Sequence, residues 1–103
     1  MEIRFYIDPN LGQPHIYEHG VSEEEVRQVL IGRGDDFRGR KKTRIKFGQT
    51  SNGRYLKVIY QPDETPDSVF VITAYDIKGK ALKAFRRNNG ENRDEKNAIR
   101  TKE

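Results

Sequence analysis

The fold is decided by residues 43–75, which read TRIKFGQTSNGRYLKVIYQPDETPDSVFVITAY. Apolar and polar residues alternate from 43 to 49 and again from 54 to 61, as in strands that bury one face. Ser51-Asn52-Gly53 between them is typical of a hairpin turn. Residues 68–75 are largely apolar on both faces, which is typical of an interior strand. The stretch therefore predicts three consecutive antiparallel strands.

Shorter patterns outside this stretch complete the predicted fold. Residues 2–7 alternate and predict a first strand, which Asp8-Pro9-Asn10-Leu11-Gly12 ends with a turn. Ser22 and Glu25 form a capping-box pattern, which opens a helix ending near Ile31. Residues 80–87 predict a short second helix with Ala81, Leu82 and Phe85 facing inward. We expect an α+β domain in which a twisted antiparallel sheet of about four strands packs against a helix from the N-terminal half and a short C-terminal helix.

Length and composition limit the chain to one modest domain. Its 103 residues are 33% hydrophobic and 35% charged, enough for one small core. Residues 88–103 are almost wholly polar, so we expect a folded domain over 1–87 and a disordered tail after it. Cysteine is absent, which excludes disulfides and thiolate metal sites. Neither a signal-peptide pattern nor a long apolar run is present, so we expect a cytoplasmic protein without a membrane partner.

Positive charge is concentrated in the middle of the chain. Residues 33–57 carry nine basic and two acidic side chains, a balance of +7, whereas the whole chain carries +4. A field of this size attracts phosphate backbones or acidic proteins, and nucleic acid is the first candidate partner. Residues 35–42 are expected to form an exposed basic loop that acts only by long-range attraction. A cluster of this kind can also serve solubility alone.

The basic hairpin and the last helix supply candidate phosphate ligands. The candidate nucleic-acid-binding residues are Arg44, Lys46, Arg54, Tyr55, Lys57, Arg86 and Arg87. Arginine binds phosphate through two parallel hydrogen bonds, lysine adds a point charge, and tyrosine can stack on a base. We expect Arg44, Lys46 and Lys57 to lie together on one sheet face. The alternatives are an ordinary solvated face and, for the helix, cations that interact with its negative pole.

Two histidines and a tyrosine are candidates for proton transfer. Histidine titrates near neutrality, so His19 is a candidate general base, although it could instead hold its loop by a hydrogen bond. His15 follows a proline and is expected to be exposed. Tyr75 ends the apolar strand, where it could donate a proton or stack a base, whereas Tyr60 is expected in the core. No third ligand accompanies the histidines, so we expect neither a metal nor another cofactor.

The order of several short motifs resembles the BrnT-type branch of the RelE superfamily of toxins, or an uncharacterised relative of that branch. The matching residues are Asp8, His19-Gly20-Val21-Ser22, Arg44, Gly48, Gly53-Arg54, Leu56, Val58, Tyr60 and Ile72-Thr73-Ala74. The resemblance covers about residues 1–87. The chain departs from the branch at Tyr75, where the branch has an arginine, at Ala81, where it has a glutamate, and at Glu18, where it has a lysine.

The resemblance implies a toxin of a type II toxin–antitoxin system that cleaves RNA without a metal and is neutralised by an antitoxin protein. Such cleavage needs a base for the ribose 2′-hydroxyl, cations for the phosphate and an acid for the leaving oxygen. His19, Arg44 and Tyr75 are the candidate catalytic residues. Two alternatives remain: a non-catalytic RNA- or protein-binding module of the same fold, favoured by the departures at Tyr75 and Ala81, or an adaptor for an acidic protein.

Overall fold

Seven strands, two α-helices and a short 3₁₀ helix make up the computed structural model, which describes residues 1–89. The strands are β1 (Glu2–Phe5), β2 (Ile7–Asp8), β3 (Gln13–Pro14), β4 (Gly34–Arg38), β5 (Arg44–Gln49), β6 (Tyr55–Pro62) and β7 (Ser68–Asp76). The helices are the 3₁₀ helix (His15–His19), α1 (Glu23–Ile31) and α2 (Gly79–Asn89).

Five of the strands form one mixed sheet, in the order β1-β7-β6-β5-β4. β1 is parallel to β7, whereas the other neighbouring pairs are antiparallel. β2 and β3 form a separate two-stranded hairpin. β1 pairs only with the first half of β7, from Ser68 to Val71, and the 3₁₀ helix packs against β7. This arrangement brings His19 close to Tyr75, near the C-terminal end of β7.

Helix α1 begins at the predicted capping box. The Ser22 hydroxyl accepts a hydrogen bond from the Glu25 amide at 3.1 Å, and the Glu25 carboxylate accepts one from the Ser22 amide at 2.9 Å. These two bonds satisfy backbone donors that the first helical turn leaves without partners. The helix ends at Ile31, where the sequence predicted its end.

One face of the sheet packs against α1, and we call it the α1 face. It carries Leu56, Val58 and Tyr60 of β6, all buried as their alternation predicted. The α1 residues that meet this face in the core are Val26, Val29 and Leu30. Helix and sheet approach closely at Gly48, where an added Cβ would lie 2.9 Å from Cγ1 of Val29.

The opposite face carries Tyr55, Lys57 and Ile59, and we call it the α2 face. α2 covers one end of it, because the buried Phe85 contacts the rings of Phe47 and Tyr55. The predicted inward position of Phe85 is therefore confirmed. Ala81, which the amphipathic pattern also placed inward, is exposed.

The predicted α+β class is confirmed, but the sheet differs from the prediction in two ways. It has five strands and is mixed, because β1 joins it parallel to β7. The fifth strand is β4, which occupies the first half of the segment expected to be a loop. β4 lacks an apolar alternation, and as an edge strand it has only β5 as its neighbour in the sheet. Its pairing with β5 is what makes it a strand.

Helix α2 runs past the residue at which the folded domain was predicted to end. α2 extends to Asn89, two residues beyond the predicted domain of 1–87. Apart from its first two residues, the predicted tail 88–103 lies outside the residues that the structure describes. Within residues 1–89, no helix is both long enough and apolar enough to cross a membrane.

Candidate functional site

The pairing register separates the cations that the sequence placed on one face. Arg44 lies opposite Tyr60 and Lys46 opposite Val58, so both belong to the α1 face. Lys57 lies opposite Phe47 and Tyr75 on the α2 face. The prediction that Arg44, Lys46 and Lys57 share a face is therefore wrong. Alternation along a strand shows which of its residues share a face. It does not show which face of the neighbouring strand lies on the same side, because a register shift of one residue exchanges the two faces.

Arg44 and Lys46 are both held by hydrogen bonds to neighbouring elements of the fold. Arg44 Nε donates to Asp36 Oδ1 at 2.8 Å, and the same carboxylate accepts from the Tyr60 hydroxyl at 2.6 Å. Burial of Tyr60, followed by its contact with Asp36, raises the pKa of the phenol to about 12. Lys46 Nζ donates to the carbonyls of Leu30 and Gly32, at 3.0 and 2.7 Å. Lys46 therefore stabilises the C-terminal end of α1.

Arg54 ties three parts of the chain together. Its guanidinium donates to Asp76 Oδ1 at 2.8 Å and to Glu25 Oε1 at 3.1 Å. It also donates to the carbonyls of Gly20 and His19, at 2.7 and 3.2 Å. The hydrogen bond from Arg54 holds the pKa of Asp76 below its usual range. Arg54 therefore has a structural position beside the site, with its donors already bound.

A groove of about 640 Å³ opens at the end of the sheet where β7 meets α2. Its lining residues are His19, Phe47, Lys57, Tyr75, Asp76, Ile77, Lys78 and Ala81. Lys57 Nζ lies 5.4 Å from the centroid of the Tyr75 ring, within the range of a cation–π interaction. The His19 ring lies 5.5 Å from the same ring, centroid to centroid. The groove thus joins His19 and Tyr75, two of the predicted catalytic residues, with Lys57.

Behind His19 lies His15, which was expected to be exposed in a loop but is half-buried in the 3₁₀ helix. The His15 ring lies 5.3 Å from the His19 ring, and its Nδ1 lies 2.7 Å from Asp8 Oδ2. The hydrogen bond with His15, and then the Asn10 amide, hold the pKa of Asp8 below its usual range. An ionised Asp8 carboxylate can only accept, so the His15 Nδ1–H donates the hydrogen bond that joins them. An aspartate–histidine pair thus supports the groove.

The remaining residues predicted to bind nucleic acid, Tyr55, Arg86 and Arg87, lie on α2 or against it. Tyr55 contacts Phe85, with ring centroids 6.0 Å apart. The Arg86 guanidinium lies 5.7 Å from the Tyr55 ring centroid, and Arg87 is exposed. Tyr55 and Arg86 therefore pack on each other at the end of the sheet that α2 covers.

The groups in and behind the groove can move protons and hold negative charge. Imidazoles accept and release protons near neutral pH, and the Tyr75 phenol is a donor. Lys57 and Lys78 supply positive charge at the groove wall. The Asp76 carboxylate also lines the groove, but Arg54 is bound to it and offsets its charge. These groups are suited to acid–base chemistry at a hydroxyl group of an anionic substrate.

The contact between Asp8 and His15 is the part of the site that the sequence did not predict. They lie seven residues apart, on either side of the β2–β3 turn, where the Asp8 carbonyl accepts from the Gly12 amide at 2.8 Å. The signal available was an aspartate at a strand end followed by a turn and a histidine. Among residues 1–89, no three histidine, aspartate or glutamate side chains converge as metal ligands would.

Comparisons with known proteins add no relative to these observations: no protein-family model, no curated protein and no solved structure matches the chain.

Proposed function

We propose that this protein binds RNA and cleaves it without a metal ion, using the groove that joins His19, Tyr75 and Lys57. The observation that carries the proposal is the convergence of these three side chains, which come from the 3₁₀ helix, β7 and β6. They place a proton acceptor, a proton donor and a cation next to one another. These are the three functions that cleavage of a ribose phosphate bond requires.

The proposed reaction is an in-line displacement by the ribose 2′-hydroxyl. His19 takes the proton of that hydroxyl while its oxygen forms a bond to phosphorus. Lys57 stabilises the negative charge that develops on the phosphate oxygens. Tyr75 gives its proton to the 5′-oxygen as the phosphorus–oxygen bond breaks. The products are a 2′,3′-cyclic phosphate and a 5′-hydroxyl, so no water, metal or oxidant enters the step.

This proposal changes one of the catalytic assignments made from the sequence. Arg44 lies on the α1 face and is paired with Asp36, away from His19 and Tyr75. Lys57 takes over the role of the cation because its ammonium group lies over the Tyr75 ring. His15 acts only through His19: its ring packs against the His19 ring and is itself oriented by Asp8.

The biological setting of the proposal comes from the order of the sequence motifs. We propose a toxin-like protein of the RelE superfamily, BrnT-type, whose antitoxin would be an acidic protein bound to the basic surface. A chain that only binds RNA or a protein is the second candidate. The presence of Tyr75, where the branch has an arginine, favours this candidate.

Cleavage by purified variants tests the chemistry. The substrate is a single-stranded RNA, compared with the same sequence lacking all 2′-hydroxyls. We expect the wild type to cut only the RNA, to leave 2′,3′-cyclic phosphates in the mass spectrum, and to act equally in a metal chelator. His19→Gln and Tyr75→Phe should each slow cleavage by about 100-fold or more, the usual contribution of acid–base groups.

The matched control is Tyr17→Phe, which also removes one phenolic hydroxyl. Tyr17 donates to Glu23 at 2.8 Å and does not line the groove. This variant should cleave like the wild type. RNA that binds but stays intact would leave the binding module as the function, and cleavage that the chelator abolishes would overturn the metal-free mechanism.

A further inference from the structure

The turn between β4 and β5 holds the densest positive charge in the described structure. Five of the seven residues from 38 to 44 are basic: Arg38, Arg40, Lys41, Lys42 and Arg44. The turn borders a hollow of about 520 Å³. Its lining residues are Arg38, Gly39, Lys41, Lys42, Thr43, Arg44 and Pro62. We call this hollow the basic cradle.

The backbone of the cradle is a defined turn. The Gly39 amide donates to the Thr43 carbonyl at 2.8 Å, and the Thr43 amide and hydroxyl both donate to the Arg40 carbonyl. Lys41 and Lys42 have φ angles of 52° and 65°, a left-handed conformation that side chains with a Cβ rarely adopt. Unfavourable backbone angles held by surrounding hydrogen bonds are common at ligand sites.

The charges of the cradle are poorly compensated. Arg38 lies directly opposite Arg44 in the β4–β5 ladder, and like charges in this position repel. Arg44 is paired with Asp36, but within residues 1–89 Arg38, Lys41 and Lys42 form no ion pair. A bound anion would relieve this repulsion. The lining contains no aromatic ring and one apolar side chain, so it suits phosphate groups better than the side chains of a peptide.

We propose that the basic cradle is a second phosphate-binding site, which holds the backbone of the RNA strand whose scissile bond lies in the groove. The identity of the strand rests on the proposed function. The two sites lie toward opposite ends of β6: Lys57 lines the groove and Pro62 lines the cradle. Along β6, five residues of extended strand separate Lys57 from Pro62 by roughly 17 Å. The cradle therefore acts on affinity and strand position, and takes no part in proton transfer.

Inorganic tripolyphosphate tests the cradle without RNA. We expect saturable shifts of the backbone amide NMR signals from Arg38 to Arg44 when it is added to the full chain. Lys41→Asn/Lys42→Asn removes two charges and keeps residues that tolerate the left-handed conformation. This double variant should bind tripolyphosphate at least about tenfold more weakly, as two lost charge-assisted contacts predict. A thermal melt checks that it remains folded.

Lys80→Gln/Lys83→Gln is the control, because it removes the same charge from two exposed lysines of α2. It should bind tripolyphosphate within about twofold of the wild type, because salt screens exposed charges that do not contact the ligand. Unchanged affinity in the cradle variant, or shifts that map to α2 in place of the cradle, would overturn the proposal.

RNA kinetics separate the cradle from the groove. Lys41→Asn/Lys42→Asn should raise KM several-fold and leave kcat unchanged, whereas Tyr75→Phe should lower kcat. If the wild type binds tripolyphosphate in the cradle but neither binds nor cuts RNA, the proposed function fails and the phosphate site stands. If the wild type cuts RNA and the cradle variant has wild-type KM, the groove stands and the cradle fails.

Discussion

Lys46 and Lys57 carry the same charge on neighbouring strands, yet they lie on opposite faces and have different surroundings. Lys46 is bound to two carbonyls at the end of α1, whereas Lys57 lies over the Tyr75 ring in an open groove. The sequence identified both as cations on strands. Which face each belongs to depends on the hairpin register, and alternation within one strand does not contain that information.

The Asp8–His15 pair shows a similar limit for residues close in sequence. The strand end and the turn after Asp8 were predicted, and the turn does reverse the chain there. The β2–β3 hairpin and the 3₁₀ helix, which bring the His15 ring onto the Asp8 carboxylate, were not. Two-residue strands and short 3₁₀ helices leave too few positions for a periodic pattern.

A pH-dependent stability difference tests this pair. Because the pKa of Asp8 is lowered by His15, its ionised form contributes stability above the ordinary aspartate pKa of about 3.9, and loses it as pH falls through the folded-state pKa. We expect Asp8→Asn to melt below the wild type at pH 5, with a smaller difference near pH 2. Thermal melts at both pH values measure this.

A double variant supplies the control for this prediction. When His15→Gln has removed the partner, adding Asp8→Asn should give a melting difference that changes much less between pH 5 and pH 2. A difference that keeps its pH dependence without His15 would contradict the assigned cause.

At the scale of elements, strands that pair with sequence neighbours were predictable and the two edge strands were predictable only in part. β5, β6 and β7 follow one another through short connections, and alternation sufficed to find them. β1 was found as a strand, but its parallel pairing with β7 joins the two ends of the domain. β4 depends on its ladder with β5 and on the packing of Phe37 against Phe47, with ring centroids 5.3 Å apart. Pairings of this kind are properties of the assembled sheet.

Arg54 provides a test of how the elements around the groove are held. Arg54→Ala would leave Asp76, Glu25 and two carbonyls without this donor, so we expect a loss of about 2–4 kcal/mol in the free energy of unfolding. Arg54→Lys should recover less than half of the loss, because an ammonium group lacks the guanidinium fork. Urea denaturation measures both values.

Hydrogen exchange adds the local readout for the same variants. Because Arg54 binds the carbonyls of His19 and Gly20, Arg54→Ala should accelerate amide exchange in residues 15–22 more than in β5. Arg33→Ala is the control, since Arg33 is exposed and forms no ion pair within residues 1–89. It should stay within about 0.5 kcal/mol of the wild type. Full stability in Arg54→Lys would contradict a role for the fork.

At the scale of the whole molecule, the net charge of +4 conceals three classes of cation. Arg44, Lys46 and Arg54 are bound to acidic groups or carbonyls and hold the fold together. Lys57 and Lys78 line the groove, and a third class, made of Arg38, Lys41 and Lys42, lines the basic cradle. The sequence predicted a basic surface, but ion pairing in the fold decides which charges remain available to a partner.

The salt dependence of binding to a single strand measures how many cations contact its phosphates. DNA is the ligand in this test because it lacks the 2′-hydroxyl that the proposed cleavage needs. Two groove lysines and three unpaired cradle cations make about five phosphate contacts. At about 0.7 per contact, the logarithm of the association constant should fall with the logarithm of salt concentration with a slope of about −3.5. Between 50 and 200 mM salt, the affinity should then fall by about 100-fold. Fluorescence anisotropy across that range measures the slope.

Variants divide this slope between the two sites. Lys41→Asn/Lys42→Asn removes two of the five contacts and should reduce the slope to about −2.1, whereas Lys80→Gln/Lys83→Gln should leave it near −3.5. The difference follows because a counterion is released only where a phosphate replaces it, and an exposed charge away from the strand releases none. A flat salt dependence in the wild type would rule out a phosphate backbone as the ligand, and equal slopes in both variants would place the strand outside the basic cradle.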